Sequence, residues 1–250
     1  MIGHLEHHIV DHCNLDCAGC SHFSPLAPQW FEQIEQFYTN FKALAQTTQG
    51  QIGTIRLMGG EPLLHPQVGE FARTARELFP HSEIQVVTNG ILLEKRKEEL
   101  MPIFNQYKIG VCVSNYGLKL DLNQITAGFD KVRIDWKQEM YNIALIDRSC
   151  ISTATLFANC DLHQYKWYYF QNGKFYHCCI GANIEIFNHQ FNRHFPQEDG
   201  ITVIDHTVEE IEEYLSKPVS LCSYCNTLYR MRSNHAFALS KKKESEWTCQ

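Results

Sequence analysis

The chain has 250 residues, a mass of 29.0 kDa and 44% hydrophobic residues, which suffices for one large domain or for one domain with a small appendage. Its net charge of −6 and pI of about 6.1 disfavour a nucleic-acid partner, because the dense basic run at 241–243 is followed directly by acidic residues. The sequence contains no run of about 18 apolar residues, which a membrane-spanning helix requires, so we expect no membrane partner.

The first residues lack the basic start, the apolar segment and the small-residue cleavage site of a signal peptide. We therefore expect a cytoplasmic protein, in which thiols stay reduced. Its eleven cysteines are then expected to be metal ligands or reactive thiols rather than disulfides.

The first 150 residues alternate predicted strands with predicted helices. Strands are predicted at 4–10, 54–60, 83–90, 108–115 and 131–136, and helices at 31–47, 67–79 and 94–104. Such alternation is typical of a parallel sheet, so the predicted fold class is α/β. Cysteines, paired glycines, Thr88-Asn89 and Ser114-Asn115 follow successive strands. Because ligands bind at the carboxyl ends of parallel strands, we expect a site at this edge.

The pattern changes near residue 150. The segment "YKWYYFQNGKFYHCC" predicts a hairpin that turns at Asn172-Gly173, and a helix is predicted at 207–217. We place a boundary near 147–155 and predict two domains, 1–150 and 151–250.

Three cysteines in "CNLDCAGC" have the spacing C-x3-C-x2-C, at Cys13, Cys17 and Cys20. A loop of this length can hold one corner of a four-iron cluster and leave one iron open. An open metal position is where a reactant can bind. Two alternatives remain: a zinc knuckle with a remote fourth ligand, such as His12 or His22, and three unrelated thiols.

"CNLDCAGC" is followed by "MGGEP" and then by "TNG", each after a predicted strand. This order resembles the radical S-adenosylmethionine (SAM) enzymes over roughly the first 150 residues. The resemblance implies a partial parallel (β/α) barrel in which SAM chelates the open iron. The reduced cluster then cleaves SAM, and a 5′-deoxyadenosyl radical abstracts hydrogen from the substrate.

The resemblance also implies the cosubstrate contacts. Gly59, Gly60, Glu61 and Pro62 match the motif that binds the methionyl amino group. Thr88, Asn89 and Ser114 match strand-end positions that face the methionine and ribose. Two features depart from the family. Gly19 stands where an aromatic residue often meets adenine, so that His22 or Phe23 is expected to substitute, and no late G-x-I-x-G-x-x-E segment is present.

A second group of cysteines lies in the last third of the chain, at Cys160, Cys178, Cys222 and Cys225. The last two form a C-x2-C clamp, which zinc and iron–sulfur sites share. Their layout resembles the twitch domain of radical SAM enzymes, a short form of the SPASM domain, and implies an auxiliary four-iron cluster. A zinc site of four thiolates is the alternative. Cys179 competes with Cys178 as a ligand.

Other thiols and several charged residues are further candidates. Cys112, Cys150 and Cys249 are expected to be buried or idle thiols. In the first strand, Glu6 and His8 share the less apolar face, which should point into the barrel, as catalytic residues or as a hydrogen-bonded pair. Arg148, beside Asp147 at the domain junction, is a catalytic candidate; a surface ion pair is the alternative.

The resemblance implies a radical oxidoreductase that acts on a small polar molecule such as a sugar or cyclitol. A fully ligated second cluster would accept an electron while an alcohol or amine carbon is oxidised. The alternatives are an epimerase in which a thiol such as Cys179 or Cys150 returns hydrogen, a peptide maturase, and a non-catalytic electron carrier. A flavodoxin- or ferredoxin-type protein is the expected reductant.

Overall fold

A computed structural model describes residues 2–136, 141–142, 145–146, 151–226, 231–232 and 237–248. The strands are β1 (Ile2–Val10), β2 (Ile52–Gly59), β3 (Glu83–Thr88), β4 (Gly110–Asn115), β5 (Val132–Trp136), β6 (Tyr141–Asn142), β7 (Trp167–Gln171), β8 (Lys174–Tyr176), β9 (Ile201–Thr202) and β10 (Met231–Arg232). The helices are α1 (Ile34–Thr47), α2 (Val68–Leu78), α3 (Leu93–Gln106), α4 (Leu122–Thr126), α5 (Thr153–Ala158), α6 (Asp161–Gln164), α7 (Cys179–Phe191) and α8 (Val208–Leu215).

Eight strands form one sheet in the order β5-β4-β3-β2-β1-β7-β8-β9. Strands β1 to β5 pair in parallel, and β7 pairs in parallel with β1. The predicted α/β fold class, with its partial parallel barrel, is confirmed. The hairpin β7–β8 therefore extends the sheet of the first 136 residues. Its turn has positive φ at Asn172 and Gly173, as a two-residue hairpin turn requires, so the predicted hairpin is also confirmed.

The main core lies between the sheet and helices α1 to α3. On β1, Leu5, His7 and Ile9 are fully buried on the face toward the helices, so Glu6 and His8 lie on the other face. The His7 ring stacks edge-on against Phe37 and bonds to the carbonyl oxygen of Phe170 at 2.7 Å. The apolar positions of β1 thus decide which of its polar residues face the barrel interior.

A second apolar cluster links the last third of the chain to the cysteine loop. It contains Phe23, Tyr169, Phe187 and Trp247. The Trp247 Nε1–H donates to the carbonyl oxygen of Cys20 at 2.9 Å. Residues near the end of the chain therefore support the loop that carries the first three cysteines.

Candidate active site

The carboxyl ends of the first four strands surround one cavity. Its volume is about 540 Å³, which is within the range of small-molecule sites. Its lining includes eight of the residues selected from the sequence: Cys13, Cys17, Cys20, Gly59, Gly60, Thr88, Asn89 and Ser114. The structure therefore brings the cysteine loop and the three strand-end motifs together.

The paired glycines allow β2 to lie against the chain that enters the cysteine loop. A Cβ at Gly59 would lie 1.8 Å from the carbonyl oxygen of Val10, and one at Gly60 would lie 2.0 Å from that of His12. The Gly60 N–H donates to the Val10 oxygen at 2.8 Å. Any side chain here would push the two segments apart, so the glycines fix the position of the loop relative to the sheet.

Cys17 is buried, Cys13 and Cys20 are partly buried, and the three thiols lie close enough to affect one another. Burial raises the pKa of each thiol, and that of Cys13 reaches about 12. The charges of Cys20 and Cys13 raise the pKa of Cys17 further. Thiolates at these positions therefore need a positive centre, which a metal cluster supplies.

The carboxylate of Glu61 connects two of the motifs. Its side chain is completely buried and accepts hydrogen bonds from Leu63 N at 3.0 Å, Thr88 Oγ1 at 2.7 Å and Asn89 N at 2.8 Å. Burial raises the pKa of Glu61 to about 7, and these donors oppose the shift. The oxygens hold the β2 and β3 loops in place, and the expected contact of Glu61 with the cosubstrate stays a prediction.

Replacing Glu61 by glutamine is expected to lower the free energy of unfolding by about 2 kcal/mol. Each carboxylate oxygen accepts a backbone N–H, from Leu63 on one side and Asn89 on the other. The amide group of glutamine therefore faces a backbone N–H in either orientation, and one donor loses its partner. Urea unfolding of the anaerobically prepared protein measures the change.

The control is Glu98→Gln, which removes the same charge from an exposed position on α3. Its unfolding midpoint should stay within error of the parent protein. Equal effects in the two variants would contradict the buried clamp.

Two charged side chains line the cavity. Glu6 on β1 is in register with Arg56 on β2, and both line the cavity. The Arg56 guanidinium lies 4.5 Å from the centre of the Trp167 ring, and its Nε–H donates to Gln85 Oε1 at 3.1 Å. The sequence analysis missed Arg56. Its one signal was a charged residue inside the otherwise apolar strand "TIRLMGG".

His8, a predicted catalytic residue, is 1% exposed and does not line the cavity. Its Nδ1 bonds to Asp11 Oδ1 at 3.1 Å, and its Nε2 bonds to His22 Nδ1 at 2.6 Å. Because a carboxylate only accepts, His8 donates to Asp11 and accepts from His22. His22, which does line the cavity, therefore presents Nε2 as an acceptor. His8 therefore contacts the cavity lining through His22, and its predicted catalytic role stays a prediction.

Residues near the cysteine loop explain the missing aromatic contact. Gly19 has a φ of +65°, which favours glycine over an aromatic residue there. Phe23, one expected substitute, is 1% exposed and packs on Phe187 and Trp247 instead of lining the cavity. Tyr116, directly after β4, lines the cavity; burial raises its pKa, and the charges of the three thiols raise it further. The sequence analysis did not select Tyr116.

Comparison with known proteins identifies this part of the chain. Residues 8–121 match the Radical SAM superfamily. These residues form a radical SAM domain. The match runs from β1 to the segment before α4 and includes the cysteine loop and all three strand-end motifs. The family implies SAM and a four-iron cluster as cofactors, and the resemblance inferred from the motifs is confirmed.

Curated relatives match less than half of the chain. GTP 3′,8-cyclase of Chlorobaculum tepidum is 32% identical over 93 residues, which cover 37% of this chain and 27% of the relative. The same enzyme of Microcystis aeruginosa is 33% identical over 105 residues, or 40% of this chain and 31% of the relative. The chain thus spans less than a third of the length of these relatives.

Solved structures match most of the chain. The crystal structure of BtrN in complex with AdoMet and 2-DOIA has a TM-score of 0.55 at 16% identity and covers 90% of this chain and 93% of BtrN. The structure of BtrN in an open conformation has a TM-score of 0.52 at 15% identity and covers 94% of this chain and 97% of BtrN. At these identities the likeness shows the shared fold.

In the described residues, no helix is long and apolar enough to cross a membrane.

The cavity of the radical SAM domain fits its cofactors. Three neighbouring thiols, one buried and two partly buried, offer ligands for three irons, and the remaining volume lies beside them at the strand ends. The Asn89 amide reaches this group, with Nδ2 at 3.7 Å from Cys13 Sγ. The donor set matches what the family's cluster and cosubstrate need.

The other four predicted cysteines line a second cavity. Cys160, Cys178, Cys222 and Cys225 converge there, at the ends of α5 and β8 and on the helical turn Ser220–Tyr224. Burial raises the pKa of Cys178 and raises that of Cys222 to about 11. The charge of Cys160 acts on Cys222 and that of Cys225 on Cys178, so the four thiols form one group.

Cys178 and Cys179 lie in different cavities. Cys178 lines the second cavity and caps helix α7, with its Sγ accepting from the Gly181 N–H at 3.4 Å. Cys179 lines the cavity of the radical SAM domain, where its thiol lies within 4.8 Å of ligand atoms of Glu6 and His22. Position therefore places Cys178, and not Cys179, with the other three thiols, and its role as a ligand stays a prediction.

Some predictions lie outside the described residues. These are the catalytic candidate Arg148, its neighbour Asp147, and the thiols of Cys150 and Cys249. Cys112 is fully buried on β4, and its thiol lies 3.4 Å from Asp135 Oδ2. It lines neither of the two cavities.

Proposed function

We propose that this protein is a radical SAM oxidoreductase that oxidises an alcohol or amine carbon of a small polar molecule, such as a sugar or cyclitol. Cys13, Cys17 and Cys20 hold the cluster that binds SAM. The other four thiols hold an auxiliary four-iron cluster that accepts an electron. Residues 1–150 form the radical domain and residues 151–250 the auxiliary domain.

One observation carries the proposal: adjacent residues lie in the two cavities. Cys179 lines the cavity beside the first three thiols, and Cys178 lines the cavity of the other four. A centre held by Cys178 would therefore lie one residue away from a substrate beside Cys179. Such a short separation suits electron transfer and would have no purpose in a domain that only supports the fold.

The charged and polar side chains that line the first cavity suit a substrate with several hydroxyl or amine groups. When bound, the reduced cluster and SAM supply abstraction of a hydrogen atom from carbon. The chain contributes the groups that hold the substrate: the acceptor nitrogen of His22, the carboxylate of Glu6 and the guanidinium of Arg56. His8 and Asp11 orient the His22 ring.

Atoms and electrons balance in this arrangement. Oxidation of an alcohol to a carbonyl removes a hydrogen atom from carbon, a proton from oxygen and one electron. His22 would accept the proton of a substrate hydroxyl, and Cys160, Cys178, Cys222 and Cys225 would hold the auxiliary cluster, which would supply an acceptor for the electron. Gly59, Gly60, Thr88, Asn89 and Ser114 contact SAM along the strand ends, and Glu61 and Pro62 hold their loops. A flavodoxin- or ferredoxin-type protein reduces the first cluster.

The fold of BtrN, which is 2-deoxy-scyllo-inosamine dehydrogenase, supports a cyclitol-type substrate. An epimerase is the second candidate, because the Cys179 thiol lies in the substrate cavity and is 4% exposed. A thiol there is placed to return a hydrogen atom to a substrate carbon. The two functions differ in their product: a carbonyl in the first and an inverted alcohol in the second.

The test is anaerobic incubation with SAM, a reductant and a panel of sugars and aminocyclitols deuterated at their carbinol carbons. The expected result is deuterium in 5′-deoxyadenosine together with a carbonyl product. A reaction without reductant is the control. Deuterium transfer with an inverted alcohol as product would instead support the epimerase. Deuterium-free 5′-deoxyadenosine with every member of the panel would remove this substrate class.

A further inference from the structure

Three side chains with different donor atoms meet in the cavity of the radical SAM domain. They are Glu6 on β1, His22 just after the cysteine loop and Cys179 at the start of α7. A carboxylate oxygen, a ring nitrogen and a sulfur, one from each residue, all lie within 4.8 Å of one another. The fold thus brings three possible metal ligands together from distant parts of the chain.

The His22 ring is supported in the way that a metal-binding histidine requires. Its Nδ1 bonds to His8 Nε2 at 2.6 Å, and His8 Nδ1 bonds to Asp11 Oδ1 at 3.1 Å. These bonds occupy Nδ1 and leave Nε2 as the ring nitrogen for a ligand in the cavity. Metal-binding histidines almost always use their other ring nitrogen to contact such a second group, which fixes the ring.

A divalent cation would neutralise charges that oppose one another at this position. Cys179 is 4% exposed; burial raises the pKa of its thiol, and the charges of Glu6 and Cys20 raise it further. A buried thiolate beside a carboxylate is costly unless a positive group joins them. Sulfur and nitrogen ligands suit Zn²⁺ and similar ions, whereas Mg²⁺ and Ca²⁺ prefer oxygen alone.

We propose that Glu6, His22 and Cys179 form a binding site for one divalent cation of the zinc class. Three protein ligands leave a fourth position for water, and the Cys179 thiol releases its proton to solvent when the cation binds. The proposed function assigns Glu6 and His22 to the substrate, so the cation and the substrate exclude each other. This exclusion rests on the proposed function, whereas the cation site does not.

The test adds one equivalent of zinc to anaerobically reconstituted protein that holds its iron, and gel filtration then removes unbound zinc. Metal analysis should find about one zinc per chain and an unchanged iron content. X-ray absorption at the zinc edge should show one sulfur ligand, with nitrogen and oxygen as the others. The iron content is measured because zinc could instead displace iron at Cys20 or at the second group of thiols.

Zinc affinity should fall by more than about 100-fold in His22→Ala and in Cys179→Ala, because each variant loses a ligand. Asp11→Asn keeps all three ligands and should weaken binding by about 10–100-fold, through the support of the ring. The controls are Cys112→Ala, which changes a buried thiol on β4, and His189→Ala, which changes an exposed ring on α7. Both controls should bind zinc as tightly as the parent protein.

A parent protein that keeps its iron but binds no zinc would overturn the proposal, as would equal affinity in the parent and in both ligand variants. Zinc with four sulfur ligands, or iron lost as zinc is gained, would also overturn it, because the ion would then lie at the other thiols. If His22→Ala does not hold its iron, Cys179→Ala and Glu6→Gln carry the same comparison.

The rate of carbonyl formation tests the exclusion of the substrate separately. Bound zinc should lower this rate by more than about tenfold in the parent, and Asp11→Asn should need more zinc for the same inhibition. Zinc that raises the rate would overturn the exclusion. A parent protein that binds zinc through these ligands but forms no carbonyl product even without zinc would refute the proposed function and leave the cation site in place.

Discussion

Replacing Cys13, Cys17 and Cys20 by alanine is expected to reduce SAM cleavage to the background rate and to leave a folded protein. The three thiols are the ligands that the cavity of the radical SAM domain offers at its open end. The second group of four thiols lies in a separate cavity, and none of its members is changed. The parent protein should hold about eight irons per chain and the variant about four, as two four-iron clusters require.

Release of 5′-deoxyadenosine under anaerobic reducing conditions measures cleavage, and metal analysis measures the irons. Cys112→Ala is the matched control, because it removes a fully buried thiol that lines neither cavity. This control should retain SAM cleavage and the full iron content. If the triple variant still releases 5′-deoxyadenosine at the parent rate, the assignment of the radical cluster is wrong. A parent protein with about four irons and one zinc would instead establish the second group as a zinc site.

Local signals in the sequence were enough to predict the sheet and its functional edge. The alternation of predicted strands with predicted helices indicated a parallel sheet. The motifs at the ends of β1 to β4 line one cavity because parallel strands end on the same side of the sheet. The Asn172-Gly173 turn was equally local, since its positive φ values suit these two residue types. Each of these features depends on neighbours in the chain.

Features that depend on distant contacts could not be predicted. The parallel pairing of β7 with β1 joins residues more than 160 positions apart, and nothing in either strand selects the other. His8 was chosen by alternation along β1, but its bond to His22 depends on how the cysteine loop folds back over the strand. Glu61 was assigned to the cosubstrate by its motif, whereas Thr88 and Asn89 from the next strand take up its oxygens.

Helix α7 was missed for a different reason. Its sequence, "CIGANIEIFNHQF", is buried on more than one side, against both the hairpin and Trp247, so its apolar residues do not form a single stripe. The cap at its start is a cysteine rather than one of the usual capping residues. Cys178 and Cys179, at the start of this helix, line different cavities. Without the helix, the sequence could not show that the two thiol groups are adjacent.

Removing Cys222 and Cys225 together is expected to spare SAM cleavage and to block oxidation of the substrate. The first three thiols lie in the other cavity and can still assemble their cluster. With two of four ligands gone, the second cavity can no longer hold a four-iron cluster, and the substrate loses its electron acceptor. Carbonyl product should form more than about tenfold more slowly, which corresponds to about 1.4 kcal/mol in the free energy of activation, while 5′-deoxyadenosine continues to form.

Folding must be separated from electron transfer, because the loss of a metal site can unfold the segment that it organises. The turn Ser220–Tyr224 also packs through Leu221, which is 4% exposed in the second apolar cluster, and this contact is independent of the thiols. Circular dichroism and a retained count of about four irons would show that the rest of the protein is intact. Ser223→Ala is the matched control, since it removes only a hydroxyl that donates to the Ser220 carbonyl oxygen in the same turn.

The three possible outcomes distinguish the candidate functions. A folded double variant that cleaves SAM without making carbonyl product assigns the electron to the second centre. Carbonyl formation at the parent rate would leave that centre with a structural role. An epimerase predicts a third pattern, in which Cys179→Ala rather than the double variant stops turnover, because the Cys179 thiol lies in the substrate cavity and the other two do not. Because Cys179 lies in one cavity and Cys222 and Cys225 lie in the other, substitutions at these positions distinguish the two reactions.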